Sequence, residues 1–245
     1  MISARPYIKS VFFQDEETKN KSGYPYDIPA IRQCEEIRFH ADVTFFIGEN
    51  GSGKSTLLEA MAIAYGFNPE GGTKSAQFEV HNTHSDLHKE IKLSKSFKMP
   101  GDAYFLRAES FYNVATKAEE FGVLKSYGGK SLHAQSHGEA FLATLMHKLT
   151  GNGLYLLDEP EAALSPARQL TALSLIHQLV QQDSQFIIAT HSPIIMAYPN
   201  ATIYEFSKDG IRQIDYKETD HYLITKSFLD NPDISLKLLM KNEDE

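Results

Sequence analysis

Hydrophobic residues along this chain fall into two kinds of spacing. Dense runs of β-branched and aromatic residues, "YIKSVFF" (7–13) and "EIRFHADVTFFIG" (36–48), each read as a strand. "AQFEVHN" (76–82) and "KEIKLSKSF" (89–97) flank a polar turn and read as a hairpin. "AYFLRA" (103–108), "LYLLDEP" (154–160) and "QFIIATHSP" (185–193) are short apolar runs, the last two expected to be buried on both faces. Between them, "TLLEAMAIAYGF" (56–67) has helical spacing and ends near Gly66. "FYNVATKAEEFG" (111–122), "GEAFLATLMHKLTG" (138–151) and "SPARQLTALSLIHQLVQQ" (165–182) are helices by the same test. Strands and helices alternate, which predicts an α/β fold with a mostly parallel sheet. The strand-rich opening third is expected to form an antiparallel β subdomain.

Composition narrows the setting. The 245 residues are 42% hydrophobic and 23% charged, ordinary for a globular chain with a sizeable core. A net charge of −8 gives no global basic field for nucleic acid, although a local patch could still supply one. The lone Cys34 allows no internal disulfide and fits a reducing compartment. The first ten residues lack an apolar leader core, and no run approaches the roughly 20 apolar residues of a spanning helix. The expectation is a cytoplasmic protein that does not insert in a membrane, brought to one only by a partner. The tail "KNEDE" is expected to be frayed.

One stretch carries the chemistry. Gly48-Glu49-Asn50-Gly51-Ser52-Gly53-Lys54-Ser55 fits G-x-x-x-x-G-K-[ST] at every fixed position, between an apolar strand and a helix. Glycines let the backbone curl so that successive N–H groups face phosphate oxygens, and the helix directs its positive end at the same anion. The expected nucleotide contacts are Asn50, Gly51, Ser52, Gly53, Lys54, Ser55 and Thr56. Lys54 is assigned to the β- and γ-phosphates and the Ser55 hydroxyl to Mg²⁺. The fold class sharpens to a P-loop NTPase.

About 100 residues later, "GLYLLDEPE" ends a buried strand in Asp158-Glu159. The carboxyl end of such a strand is where ligands bind. Asp158 is assigned to the metal, and Glu159 to orienting or deprotonating a water.

"QSHGEAF" (135–141) places Ser136, Gly138 and Glu139 at a helix start, a second anion site. With one phosphate loop already present, it is most useful to a second subunit. Here the sequence resembles the ABC-type ATPases, whose signature L-S-G-G-Q aligns with Gln135-Ser136-His137-Gly138-Glu139. Loop, signature, Asp-Glu strand and a strand ending in His191 follow in the family's order, and "EAALSP" (161–166) is similar to its D-loop. The resemblance implies that His191 senses the γ-phosphate, making Glu159, His191 and Lys54 the catalytic set. It implies ATP and Mg²⁺ as cofactors, and an ATP-bridged homodimer in which Ser136, Gly138 and Glu139 meet the partner's nucleotide. His137 departs from the signature glycine, and Ser165 from the usual D-loop Asp. No glutamine follows "AYFLRA", where Glu109 and Arg107 are the nearest polar candidates.

The wording "EPEAALSP" is closer to stand-alone ATPases related to RecF, SMC and OLD-type proteins than to transporter subunits. Only 82 residues separate Lys54 from Ser136 and 54 follow His191, so neither a coiled-coil arm nor a nuclease domain is expected. The expectation is one domain over 1–245, with a small helical, signature-bearing lobe over about 102–150. The function expected is ATP hydrolysis as a conformational switch, in DNA maintenance or anti-phage defence, with DNA or an unidentified protein as partner. The alternatives are the ATP-binding subunit of a transporter and an ATP-binding regulator of a nuclease or toxin.

Other polar clusters read as ordinary surface. His81, His84 and His88 lack completing ligands. Lys89, Lys92, Lys95 and Lys98 form a stripe that suits a solvated hairpin edge better than a phosphate backbone. Tyr24 and Tyr26 in "GYPYDIP" read as turn residues packing on the sheet ahead of an adenine-stacking role.

Overall fold

The computed structural model describes residues 5–13, 21–74 and 85–240. In chain order the strands are β1 (Ile8–Phe13), β2 (Glu36–Arg38), β3 (Val43–Gly48), β4 (Gly72–Thr73), β5 (Ile91–Lys95), β6 (Asp102–Arg107), β7 (Gly153–Asp158), β8 (Gln185–Ala189), β9 (Thr202–Ser207) and β10 (Gly210–Gln213). The α-helices are α1 (Pro29–Arg32), α2 (Lys54–Tyr65), α3 (Leu87–Glu90), α4 (Phe111–Glu120), α5 (His137–Ala143), α6 (Pro166–Gln181), α7 (Asp220–Asp230) and α8 (Pro232–Leu239).

A seven-stranded sheet in the order β10-β9-β3-β8-β7-β6-β4 carries the fold. Its five inner strands run parallel, and β4 and β10 close the edges antiparallel. Side chains alternate between the sheet's faces, so each face has its own core. Phe45, Tyr155, Leu157 and Ile188 pack toward α4, α5 and α6, while Phe46, Leu156, Ile187 and Ala189 pack toward α2. The second sheet, β2-β1-β5, is antiparallel and lies over α2, so Leu57, Leu58 and Met61 are fully buried between two sheets. An α/β fold with a mostly parallel sheet and an antiparallel β unit is what the hydrophobic pattern predicts.

Register positions the chemistry. Arg107 pairs with Asp158, Asp158 with Ala189, and Phe46 with Ala189. Parallel neighbours in register end at one edge. The carboxyl ends of β3, β6, β7 and β8 therefore gather the phosphate loop, Arg107, Asp158 and the segment carrying His191.

Several local expectations change. The strand expected over 36–48 is two strands in different sheets. The polar break bonds to itself: His40 N–H donates to Thr44 Oγ1 (2.9 Å) and Asp42 N–H to His40 Nδ1 (3.1 Å). Lys89 and Glu90 lie in α3 instead of opening a strand, Lys89 pairing with Asp86 at 2.7 Å, and β5 pairs with β1. The expected hairpin partner at 76–82, with His81 and His84, lies outside the described residues, as does the tail at 241–245. His88 faces Ser85 O at 3.0 Å. The helix expected over 138–151 is α up to Ala143 and then a π turn over Thr144–Lys148. The apolar run expected over 103–108 is a strand, Asp102–Arg107, which hydrogen-bonds along β7, and the helical segments after it begin at Phe111. Among the described residues no helix is long and apolar enough to cross a membrane.

Candidate nucleotide site

The loop between β3 and α2 turns on glycines. Gly48, Gly51 and Gly53 hold φ of 136°, 77° and 101°, where only glycine sits without strain. Gly48 is also sterically required, since a Cβ there would lie 2.2 Å from Phe206 O. Lys54, the first residue of α2, is buried and donates to Gly48 O (2.8 Å) and Glu49 O (3.0 Å). Burial lowers its pKa, and the carboxylates of Glu159 and Asp158 oppose that. The Ser52 hydroxyl is buried in this loop with no hydrogen-bond partner, a polar atom left for a ligand.

Ser55 Oγ donates to Asp158 Oδ1 at 2.8 Å, joining the loop to the end of β7. Burial pushes the Asp158 carboxyl up to about 6, against the Ser55 hydrogen bond and the Arg107 charge. A hydroxyl beside a buried carboxylate is a hard-oxygen pair that suits Mg²⁺. Arg107 lies behind it, 2.6 Å from Glu59 and 3.9 Å from Asp158. The guanidinium is thus committed to Glu59 and Asp158 from behind, with Glu109 3.3 Å away on its outer side.

Glu159 has φ of 50°, a left-handed turn that swings its side chain off the strand line, and its N–H donates to Ala189 O at 2.9 Å. Its carboxylate is 3.8 Å from His191 Nε2. Glu161, raised in pKa by burial, accepts from Thr190 Oγ1 (2.8 Å) and from the His191 N–H. Burial, and then the Lys54 charge, lower the pKa of His191, so the ring favours its neutral form. Its Nε2 is buried without a hydrogen-bond partner. Lys54, Ser55, Glu159, Glu161 and His191 line one cavity of about 600 Å³, together with Gly53. A second cavity, about 620 Å³, lies against Gly48–Ser52 and is lined by Arg212, Asp220 and His221.

Ser136, Gly138 and Glu139 line neither of these cavities. Ser136 N-caps α5 in a capping box with Glu139. Arg168 reaches both, at 3.2 Å from Ser136 Oγ and 3.1 Å from Glu139 Oε1. Gly138 passes so close to the next loop that a Cβ would meet Ala163 O at 2.5 Å. The two hydroxyl-bearing ends are exposed and share this side of the molecule with Ser165, which N-caps α6.

The chain matches a family model described as an AAA domain over residues 26–130. It is 24% identical over 167 residues to the hemin import ATP-binding protein HmuV of Aliivibrio fischeri, covering 61% of this chain and 64% of that one. It is 30% identical over 103 residues to the DNA double-strand break repair Rad50 ATPase of Methanococcus maripaludis, covering 42% and 9%. The chain is similar to the ATP-binding domains of ABC-type proteins, and to a Rad50 ATPase over a shorter stretch. The same fold is seen in cbiO1 from Clostridium perfringens, part of the ABC transporter complex cbiONQ, with a TM-score of 0.50, 19% identity and coverage of 96% and 99%. The chain spans 19%, 64% and 28% of the lengths of the first curated relatives it matches.

Some residues near the site carry no signal in the spacing. His221, in the first turn of α7, puts Nε2 3.3 Å from His191 Nδ1. Arg168 is a helix residue whose contact with Ser136 appears only in three dimensions. Tyr24 is in a turn, as expected, yet it is 70% exposed and its hydroxyl is 3.1 Å from Thr56 Oγ1, so it stands beside the loop and not on the sheet. Tyr26 does pack against the core.

Proposed function

We propose that this head binds and hydrolyses ATP with Mg²⁺ at sites completed by a second copy, and that the cycle is a conformational switch. The supporting observation is the convergence of Lys54, Ser55, Glu159 and His191 on one cavity, with Asp158 bonded to Ser55 behind it, while Ser136 stands exposed outside it and Gly138 is buried beside it under the next loop. The N–H groups around Gly51 and Gly53 and the Lys54 ammonium hold the phosphates. Ser55 and Asp158 hold the metal, which when bound neutralises phosphate charge and templates the displacement. Glu159 orients the attacking water and takes its proton, and the His191 Nε2–H faces the γ-phosphate. Ser136, Gly138 and Glu139 of the second copy cap the same nucleotide, so cleavage removes the bridge between copies.

The working partner is proposed as DNA or another protein in the cytoplasm, in maintenance or defence; the Rad50 relative supports this. The transport names of other relatives support the subunit of a membrane complex, and co-purification with a membrane protein would favour it.

Phosphate release per subunit is measured over a wide protein concentration range, with and without duplex DNA. A rate that climbs with concentration and collapses in Ser136→Arg is expected, and Glu159→Gln should lose about 10²–10⁴ in turnover while forming an ATP-dependent dimer on sizing. Full turnover in Ser136→Arg would sink the shared site.

A further inference from the structure

We infer that His221 is a positioning residue for hydrolysis, setting the tautomer of His191 so that its Nε2–H faces the phosphate. The inference rests on the proposed role of His191. A neutral imidazole has one N–H, and the nitrogen that carries it is decided by what the other nitrogen bonds. A phosphate oxygen needs a donor, so His191 must hold its proton on Nε2 and leave Nδ1 as acceptor.

The group facing Nδ1 is His221 Nε2, at 3.3 Å, with ring centroids 5.5 Å apart. With its proton on Nε2, His221 donates to Nδ1 and selects that tautomer. With the opposite polarity, His191 Nε2 would present a lone pair to an anion. The buried, unpartnered Nε2 in the cavity with Lys54 and Ser55 is the atom this arrangement leaves ready.

The support for His221 is built. Thr219, fully buried, caps α7 by accepting from Tyr222 N–H (3.2 Å) and donates to Tyr216 O (2.8 Å). Tyr216 OH donates in turn to Pro193 O at 2.8 Å, two residues beyond His191. The start of α7 is thereby bolted to the loop that carries His191. Outer partners that orient a functional imidazole are worth roughly 10–100-fold in activity at metal sites, and a similar loss is expected here.

Steady-state kcat and KM for ATP are measured on the full chain for His221→Phe, His221→Gln and His191→Ala. His221→Phe, which keeps ring bulk without a donor, should lower kcat roughly 10–100-fold and leave KM within about threefold. His221→Gln, whose amide can donate to Nδ1, should recover most of the loss. Imidazole ¹⁵N NMR of the nucleotide-free protein supplies a readout apart from turnover. The wild type should show His191 protonated on Nε2, with Nδ1-protonated signal appearing in His221→Phe. Wild-type kcat in His221→Phe, or a glutamine variant as slow as the phenylalanine one, overturns the inference. If His191→Ala keeps full turnover, the reading of His191 falls and this inference with it. If His191→Ala is slow but His221→Phe is not, only this inference falls.

Discussion

Replacing Asp158 with asparagine should make the protein more stable and inactive at once. The carboxyl is buried, and its pKa rises from 3.8 to about 6. The native state therefore holds its proton more tightly than the unfolded state. The contribution of Asp158 to stability is therefore most favourable below about pH 3.8 and is lost as pH rises through about 6. Above that, ionising Asp158 costs the fold about 3 kcal/mol. Asparagine removes this cost and keeps an oxygen to accept from Ser55. It also places an amide beside Arg107 (Nε 3.9 Å from the carboxylate), and an unsatisfied donor there returns about 1 kcal/mol. The net gain is about 2 kcal/mol at pH 8 and close to zero at pH 4.5, where native Asp158 is mostly protonated. Urea unfolding in EDTA without nucleotide measures it. An m-value of about 2–3 kcal/mol/M puts the pH 8 midpoint shift at roughly 0.7–1 M. Phosphate release with Mg²⁺ and ATP should be lost in the same variant. An Asp158→Asn protein less stable than wild type at pH 8, or more stable by the same amount at both pH values, would refute this account of the buried carboxylate.

Gly48→Ala should cost about 3 kcal/mol or more, combining backbone strain with a Cβ 2.2 Å from Phe206 O. Gly51→Ala, with no atom within 4 Å of its Cβ, should cost only the strain, about 1 kcal/mol, in the same urea titration. Arg107→Met should destabilise by about 3 kcal/mol, because Arg107 is the cation between the half-buried Glu59 and Asp158, and the apparent Mg²⁺ affinity should fall more steeply below neutral pH as Asp158 protonates more readily. Unfolding midpoints and Mg²⁺ titrations at pH 6 and 8 check both halves.

Much of the fold was legible because its elements are set locally. Apolar runs such as "LYLLDEP" and "QFIIATHSP" belong in a sheet covered on both faces, and a glycine loop between strand and helix has one main use. The breaks were less legible. Residues 36–48 keep strand composition throughout, and only the turn bonded through His40, Asp42 and Thr44 divides them between two sheets. The π turn at Thr144–Lys148 interrupts a pattern that reads as unbroken helix.

The sequence alone determined the α/β class, and it pointed to the glycine loop and to Asp158 and Glu159 at a strand end, while the resemblance to the ABC-type ATPases pointed to His191. The tertiary structure decided what surrounds them. Arg107 comes to Asp158 through the register of β6 on β7, and Arg168 reaches Ser136 because α5 and α6 approach across a loop. His221 returns to His191 only after β9 and β10 have reversed the chain. These contacts join residues 30 to 51 positions apart, and no local spacing records them, because the free energy that makes them comes from packing whole elements and not from propensity.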